Sequence, residues 1–102
     1  MRHIVVFKFK PDVSEVQIQQ LTDAFRELKD KIPGVVSFEY GINDSPEGLN
    51  LGFTHIYQLT FEDEKARDIY LPHPEHQKFV TEFGDEFIEE AFVVDYIPQI
   101  QA

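Results

Sequence analysis

Residues 3–9 read HIVVFKF, and this short run restricts the possible folds more than any other part of the chain. Two apolar faces alternate along it, with His3, Val5 and Phe7 on one side and Ile4 and Val6 on the other. A strand with two apolar faces is typically covered on both sides. We therefore predict a strand over His3–Phe9 that lies inside the fold, between two layers of side chains.

A helix and a second strand are predicted next. Ser14 and Gln17 have the spacing of a capping box, in which the two side chains satisfy free backbone N–H groups. Apolar residues then recur at steps of three and four, which predicts a helix with an inner stripe of Ile18, Leu21, Phe25, Leu28 and Ile32. Pro33-Gly34 ends that helix. A strand is predicted over Val35–Ile42, with one face formed by Val36, Phe38, Tyr40 and Ile42.

The second half of the chain repeats this alternation after a turn-rich loop at residues 43–52. We predict a third strand from about Leu51 to Phe61, a short helix over Asp63–Tyr70, and a further helix that begins at Pro74. The last strand is predicted over Ala91–Ile97. The resulting order, β-α-β-β-α-β, is the ferredoxin-like arrangement of an α+β fold. A single domain over residues 1–102 fits this length.

A ferredoxin-like sheet carries its helices on one face, so its other face needs a different cover. We expect Ile4, Val6 and the Val36/Phe38/Tyr40 stripe to lie on this open face, where they are too apolar to remain in water. A second copy of the chain that stacks sheet on sheet is the simplest cover. The pattern therefore predicts a homodimer.

The charge and composition argue against several classes of protein. The net charge is −10, from 19 acidic and 9 basic residues. Such a surface repels phosphate backbones, so nucleic-acid binding is not expected. No run approaches the roughly 20 apolar residues of a membrane span, so no membrane partner is expected. The chain has no cysteine, and no signal-peptide pattern is visible, which together favour the cytoplasm.

Three histidines and one tyrosine fall on predicted apolar faces. His3 and His55 share strand faces with aromatic residues, while His76 and Tyr70 lie on the inner sides of the last two helices. If the helices cover both strand faces, these four side chains point into one layer. A neutral imidazole can remove a proton from a carbon acid, and a tyrosine hydroxyl can stabilise the enolate that forms.

We therefore predict a small-molecule pocket between helices and sheet, with one of the three histidines as the base and Tyr70 as the oxyanion donor. The ligand-contacting residues are predicted to be His3, His55, Val5, Phe7, Phe25 and Tyr57. This assignment favours a proton-transfer enzyme that acts on a dicarbonyl or aromatic compound.

Two other interpretations of these residues stay open. In a non-catalytic dimer, the histidines and Tyr70 would complete a hydrogen-bonded core, filled by the rings of Phe25, Tyr57, Phe79 and Phe83. In a metal site, His73 and His76 would be two of the ligands, but no clear third ligand accompanies them. We predict neither a metal ion nor another cofactor.

Several segments in a fixed order carry a family resemblance over nearly the whole chain. They are His3–Lys10, Gly41-x-Asn43-x-Ser45-x-Glu47, Phe53-Thr54-His55, Tyr70-Leu71-Pro72-His73-Pro74-x-His76-x-x-Phe79, and Asp95-Tyr96 followed by Pro98. This set resembles the stress-responsive α/β-barrel family, also called Dabb. The resemblance implies a homodimer whose two sheets close into a dimeric α+β barrel.

The resemblance also implies a chemistry for part of the site. In one branch, the plant olivetolic acid cyclases, a Tyr and a His close a linear polyketide by aldol condensation. These correspond to Tyr70 and His76, so the resemblance implies that His76 is the base and Tyr70 the oxyanion donor. Pocket histidines of that branch correspond to His3 and His55. Thr22, Phe25 and Ile88 stand where those cyclases have bulky aromatic residues, which implies a pocket of different shape and a different substrate.

Overall fold

A four-stranded antiparallel sheet with helices on one face forms the protein, as seen in a computed structural model that describes residues 1–102. The strands are β1 (Arg2–Phe9), β2 (Val35–Ile42), β3 (His55–Phe61) and β4 (Ile88–Tyr96). The helices are α1 (Glu15–Lys31), α2 (Glu64–Tyr70) and α3 (Pro74–Phe87). The strand order β2-β3-β1-β4 places β1 inside the sheet. The predicted ferredoxin-like α+β fold is confirmed.

The helices begin where the local sequence satisfies their free N–H groups. Ser14 and Gln17 form the predicted capping box, and the Asp63 carboxylate accepts from the Ala66 N–H at 2.9 Å. Gly34, after α1, has a φ of +94°, and a Cβ there would lie 2.7 Å from the Ala66 Cβ. Only glycine therefore lets β2 begin so close to α2.

The starts of two strands, β3 and β4, differ from the prediction by several residues. β3 begins at His55 rather than near Leu51, because residues 50–53 close a turn in which the Asn50 side chain donates to the Phe53 carbonyl at 2.7 Å. Leu51 in that turn has a left-handed φ of 54°, which a strand cannot contain. β4 begins at Ile88, directly after α3, and ends at Tyr96 rather than Ile97.

The expectation that Phe38 and Tyr40 of the β2 stripe lie on the open face is wrong. Phe38 pairs with Leu59 and Tyr40 pairs with Tyr57, and directly opposed residues of an antiparallel pair share a face. Leu59 and Tyr57 are both fully buried on the helix side. The register of β2 shifts between Val35 and Ser37, and such an irregularity cannot be read from an alternating pattern.

The open face nevertheless carries an apolar patch, supplied by β1, β3 and β4. Val6 lies at its centre, opposite Ile56 on one side and Phe92 on the other, and Ile4 pairs with Val94. Phe92 and Val94 are 49% and 44% exposed. We call these five residues, Ile4, Val6, Ile56, Phe92 and Val94, the open-face patch. The sequence analysis identified its β1 members and missed its β4 members.

The core lies between the sheet and the helices. Its centre is built from Tyr57, Leu59 and Phe61 of β3, and α1 packs Leu21, Phe25 and Leu28 against them. Further from β3, α3 contributes Phe79, Phe83 and Phe87. None of the helices has the length and hydropathy needed to cross a membrane.

Candidate active site

A cavity of about 340 Å³ lies on the helix side of the sheet, between α3 and the strands β1 and β4. Val93 of β4 pairs with Val5 and so faces the helices, yet 54% of it is exposed. The helices therefore leave this edge of the sheet uncovered, and the cavity opens there. The rings of Phe25, Phe79 and Phe83 line the space but do not fill it. In the alternative interpretation, the non-catalytic dimer, these rings would have filled the space.

His76, on the first turn of α3, lines this cavity and is oriented by the backbone. Its Nδ1 lies 2.8 Å from the Leu71 carbonyl oxygen. A carbonyl only accepts, so Nδ1 carries the proton and Nε2 carries the lone pair. Burial lowers the pKa of His76 below 6.5, and the neighbouring His3 and His73 lower it further when charged. The ring is therefore a neutral base at pH 7.

Tyr70, the last residue of α2, lies directly against that ring. The centroids of the Tyr70 and His76 rings are 4.5 Å apart. Tyr70 is fully buried, and its hydroxyl has no hydrogen-bond partner within the protein. Burial raises the pKa of this hydroxyl above 10, so it stays protonated and can donate. An unpaired buried hydroxyl is rare, and Tyr70 adjoins His76 without itself being among the residues that line the cavity.

His3 completes the polar end of the cavity through a chain of contacts that the sequence analysis missed. Its Nδ1 lies 2.6 Å from Asp95 Oδ1, and its ring centroid lies 5.8 Å from that of Tyr70. The second Asp95 oxygen accepts from Arg67 Nη1 at 3.3 Å. Asp95 is the β4 residue directly opposite His3. The sequence did hold one signal for this contact, because Asp95 is a single carboxylate on the otherwise apolar inward face of β4.

His55 does not line the cavity, so the expectation that it converges with the other three residues is not met. Phe7 pairs with His55, whereas His3 pairs with Leu59, which places His55 about 13 Å along β3 from the His3 position. Its Nδ1 bonds the Thr54 hydroxyl at 2.7 Å, and its ring packs against Phe9 at 4.8 Å. The layer between helices and sheet therefore extends further along β3 than the cavity does, and His55 lies beyond the cavity.

The four apolar ligand-contacting candidates also divide. Val5, Phe7 and Phe25 line the cavity. Tyr57 lies outside the lining, fully buried, with its hydroxyl 2.7 Å from the Thr22 hydroxyl. Burial raises the pKa of Tyr57 to about 12. Tyr57 is therefore a structural counterpart of Tyr70, since its hydroxyl is satisfied inside the core and the Tyr70 hydroxyl is not.

Replacing Tyr70 with Phe removes a hydroxyl that bonds nothing in the protein, so the free energy of unfolding should change by less than about 1 kcal/mol. Tyr57→Phe is the matched control, because it leaves the buried Thr22 hydroxyl without its partner and should destabilise by about 1–2 kcal/mol. Chemical denaturation of both variants measures this. Equal losses in the two variants would show that the Tyr70 hydroxyl is satisfied structurally.

His76→Ala should also have a small effect on stability. The Leu71 carbonyl that bonds His76 also accepts from the Gln77 side chain at 2.8 Å, so the carbonyl keeps a partner in the variant. The ring borders open space, and its removal leaves no closed cavity behind. We expect a loss below about 1 kcal/mol, measured by thermal melting. A loss of several kcal/mol would make His76 a core residue.

The His73/His76 pair does not assemble a metal site in the structure. His73 Nδ1 accepts from the Glu75 N–H at 3.1 Å and so caps α3, and no group of three or more potential ligands is placed to hold an ion. We expect that EDTA changes the melting temperature by less than about 2 °C. This shift is smaller than the one that a loss of about 1 kcal/mol in stability would cause. A decrease of many degrees would indicate a structural metal.

Comparison with known proteins identifies the family. A family model for the stress-responsive A/B barrel domain matches residues 1–98. The chain belongs to this family. A stress-response A/B barrel domain-containing protein of Arabidopsis thaliana is 34% identical over 98 residues, with 96% of this chain and 89% of that protein covered. Olivetolic acid cyclase of Cannabis sativa is 29% identical over 102 residues, with 97% of each covered.

Two similar solved structures agree with the fold. The hydroxynitrile lyase of Passiflora edulis superposes with a TM-score of 0.88 at 28% identity, with 99% of this chain and 95% of that one covered. A Bacteroides fragilis protein, described as dimeric and ferredoxin-like, superposes with a TM-score of 0.63 at 26% identity, with 93% and 92% covered. The family model and the Arabidopsis relative confirm the family resemblance found in the sequence.

Proposed function

We propose that this A/B barrel protein binds a small carbonyl compound in the cavity and catalyses proton transfer at the carbon next to the carbonyl. One observation carries the proposal. The free Nε2 of His76 and the unpartnered hydroxyl of Tyr70 belong to rings in direct contact. A base and an oxyanion donor are the two groups that enolate formation requires.

The residues divide the reaction between them. His76 Nε2 takes the proton from the α-carbon, and the electron pair moves to the carbonyl oxygen, which Tyr70 O–H stabilises. The enolate carbon then bonds to a second carbonyl carbon, and protonated His76 returns its proton to the new alkoxide. The reverse sequence breaks the same carbon–carbon bond. His3, held by Asp95 at 2.6 Å, orients the ligand from the β1 side.

The relatives support a reaction of this class. The names of two of them, a cyclase and a lyase, denote enzymes that act on small organic molecules. Tyr70 and His76 both lie in the segment that carries the family resemblance. The departures at Thr22, Phe25 and Ile88 separate this chain from the cyclase, and Phe25 and Ile88 both line the cavity. The substrate should therefore differ from the cyclase's own.

We also propose that a second copy of the chain covers the open-face patch. The patch is centred on Val6 and flanked by the half-exposed Phe92 and Val94, and continuous apolar surface of this kind marks an interface. The Bacteroides fragilis relative, described as dimeric, supports this arrangement. In such a dimer the cavity stays accessible, because it lies on the opposite side of the sheet.

The proposed binding of a carbonyl compound in the cavity is tested by titrating the protein with 4-propylacetophenone, a neutral enolisable ketone. The imidazole Hε1 signals are followed by NMR. We expect a saturable shift of the His76 signal, while the His55 signal serves as an internal control and stays unchanged. Shifts confined to His55, or no saturable shift of His76, would contradict a ligand site at this cavity.

A further inference from the structure

We propose that Gly84 determines which ligands the cavity accepts, because its missing side chain leaves a gap through which the tail of a long ligand passes out between α3 and β4. This inference rests on the proposed function and names a ligand class for the same site, carbonyl compounds with an apolar tail longer than the cavity itself. Gly84 lies near the end of α3 and lines the cavity.

Nothing in the fold requires a glycine at position 84. Its backbone is helical, without the positive φ that Gly34 has. A Cβ at position 84 would meet no atom closer than Val80 Cγ1 at 3.9 Å, which is an ordinary van der Waals contact. Glycine inside a helix lowers stability relative to alanine. The glycine is therefore unfavourable for α3 and is not explained by packing, and the feature that it serves is the cavity.

Gly84 lies at the opposite end of the cavity from His76. His76, Val80 and Gly84 follow one another at steps of four, so they share one face of α3, and all three line the cavity. A rise of about 1.5 Å per residue places Gly84 about 12 Å from His76 along the helix axis. A ligand whose carbonyl lies at His76 and whose body follows this face therefore brings its tail to Gly84.

Strand β4 carries a small side chain on its side of the gap as well. Ala91 pairs with Phe7 and so faces the helices, and it lines the cavity although it is exposed. Gly84 and Ala91 are the two smallest residues of the lining, one on α3 and one on β4. At these two positions the wall of the cavity carries almost no side chain.

The buried side of the cavity offers no other route for the tail. The Phe25 ring lines the cavity and stacks on the Tyr57 ring, with the centroids 4.9 Å apart. Tyr57 is fully buried, and its hydroxyl lies 2.7 Å from the Thr22 hydroxyl. A tail that turned inward would have to displace this hydrogen-bonded pair. The tail of a long ligand therefore leaves toward solvent.

The cavity volume sets the length at which a tail must leave. Benzene fits a cavity of about 150 Å³ in an engineered protein, and the cavity here is about 340 Å³. A ring with a short alkyl chain fills this space. Acetophenone is therefore held entirely inside and ends before Gly84, whereas the chain of 4-hexylacetophenone extends past Gly84.

Gly84→Leu tests the gap with these two ketones, and isothermal titration calorimetry measures their dissociation constants. We expect the variant to bind 4-hexylacetophenone at least about tenfold less tightly than the parent does, and acetophenone within about twofold. Each buried methylene contributes about fourfold in affinity, so the leucine would displace two or more methylenes. Thr81→Leu, at an exposed α3 position outside the cavity lining, should bind both ketones as the parent does.

Gly84→Ala supplies a second measurement, since the glycine is predicted to serve the ligand and not the fold. We expect its melting temperature to rise by about 4 °C. A lower melting temperature would show that the fold needs the glycine and would overturn the inference. Equal loss of affinity for both ketones in Gly84→Leu, or no loss for either, would also overturn it.

The NMR response of His76 to 4-propylacetophenone is measured on the parent protein and is independent of these ratios. If His76 responds but Gly84→Leu shows no length-dependent loss, the inference about Gly84 has failed and the proposed function has not. A length-dependent loss without a response of His76 would contradict the proposed function and support the gap at Gly84. Failure of the parent to bind either ketone would overturn both.

Discussion

Val6→Asp is expected to convert the protein to monomers or to insoluble material, at concentrations where the parent is a dimer. Val6 is the centre of the open-face patch, with Ile56 and Phe92 directly opposite it on the neighbouring strands. In a sheet-on-sheet dimer the substitution would bury an unpaired carboxylate within the interface, at a cost of several kcal/mol. Size-exclusion chromatography with light scattering measures the outcome.

Thr81→Asp is the matched control for this prediction. It adds the same charge to an exposed position of α3, away from the open-face patch, and should leave the dimer intact. A soluble, stable dimer of the Val6→Asp variant would remove the open-face patch from the interface. Loss of the dimer in both variants would trace the effect to net charge, since the chain already carries −10.

His76→Gln is expected to slow α-hydrogen exchange by about 100-fold or more, the usual contribution of a positioned general base. The assay follows deuterium uptake at the methyl group of 4-propylacetophenone in D₂O by NMR. Glutamine keeps a polar side chain at position 76 but has no basic nitrogen. His55→Gln, which changes a histidine outside the cavity lining, should exchange at the parent rate. Equal rates in the parent and the His76 variant would exclude His76 as the base.

The elements of the fold could be predicted because their signals are local. The two apolar faces of residues 3–9 placed β1 inside the sheet, and the Ser14/Gln17 spacing gave the start of α1. The face of β2 could not be predicted, since the register shift between Val35 and Ser37 turns the later side chains toward the helices. An alternating sequence pattern does not reveal where such a register shift occurs.

The site was predictable in part for a similar reason. His76 and Tyr70 are close in sequence, so one motif specifies both. His3 and Asp95 are 92 residues apart, and their 2.6 Å contact depends on the β1/β4 register. His55 shares its face with Tyr57 and Leu59, but face alone does not say how far along the strand a site extends. The cavity itself depends on how far α3 reaches over β4, which has no sequence signal.

The pH dependence of α-hydrogen exchange tests the central claim most directly, because it reports the protonation state of the base. Burial lowers the pKa of His76 below 6.5, so the neutral imidazole, which is the active base, already predominates at pH 6.5 and above. We predict that the rate rises with pH, passes its midpoint below pH 6.5 and is level to pH 8, and that this rise is absent in His76→Gln. A midpoint above pH 6.5, or the same rise in the variant, would contradict the account.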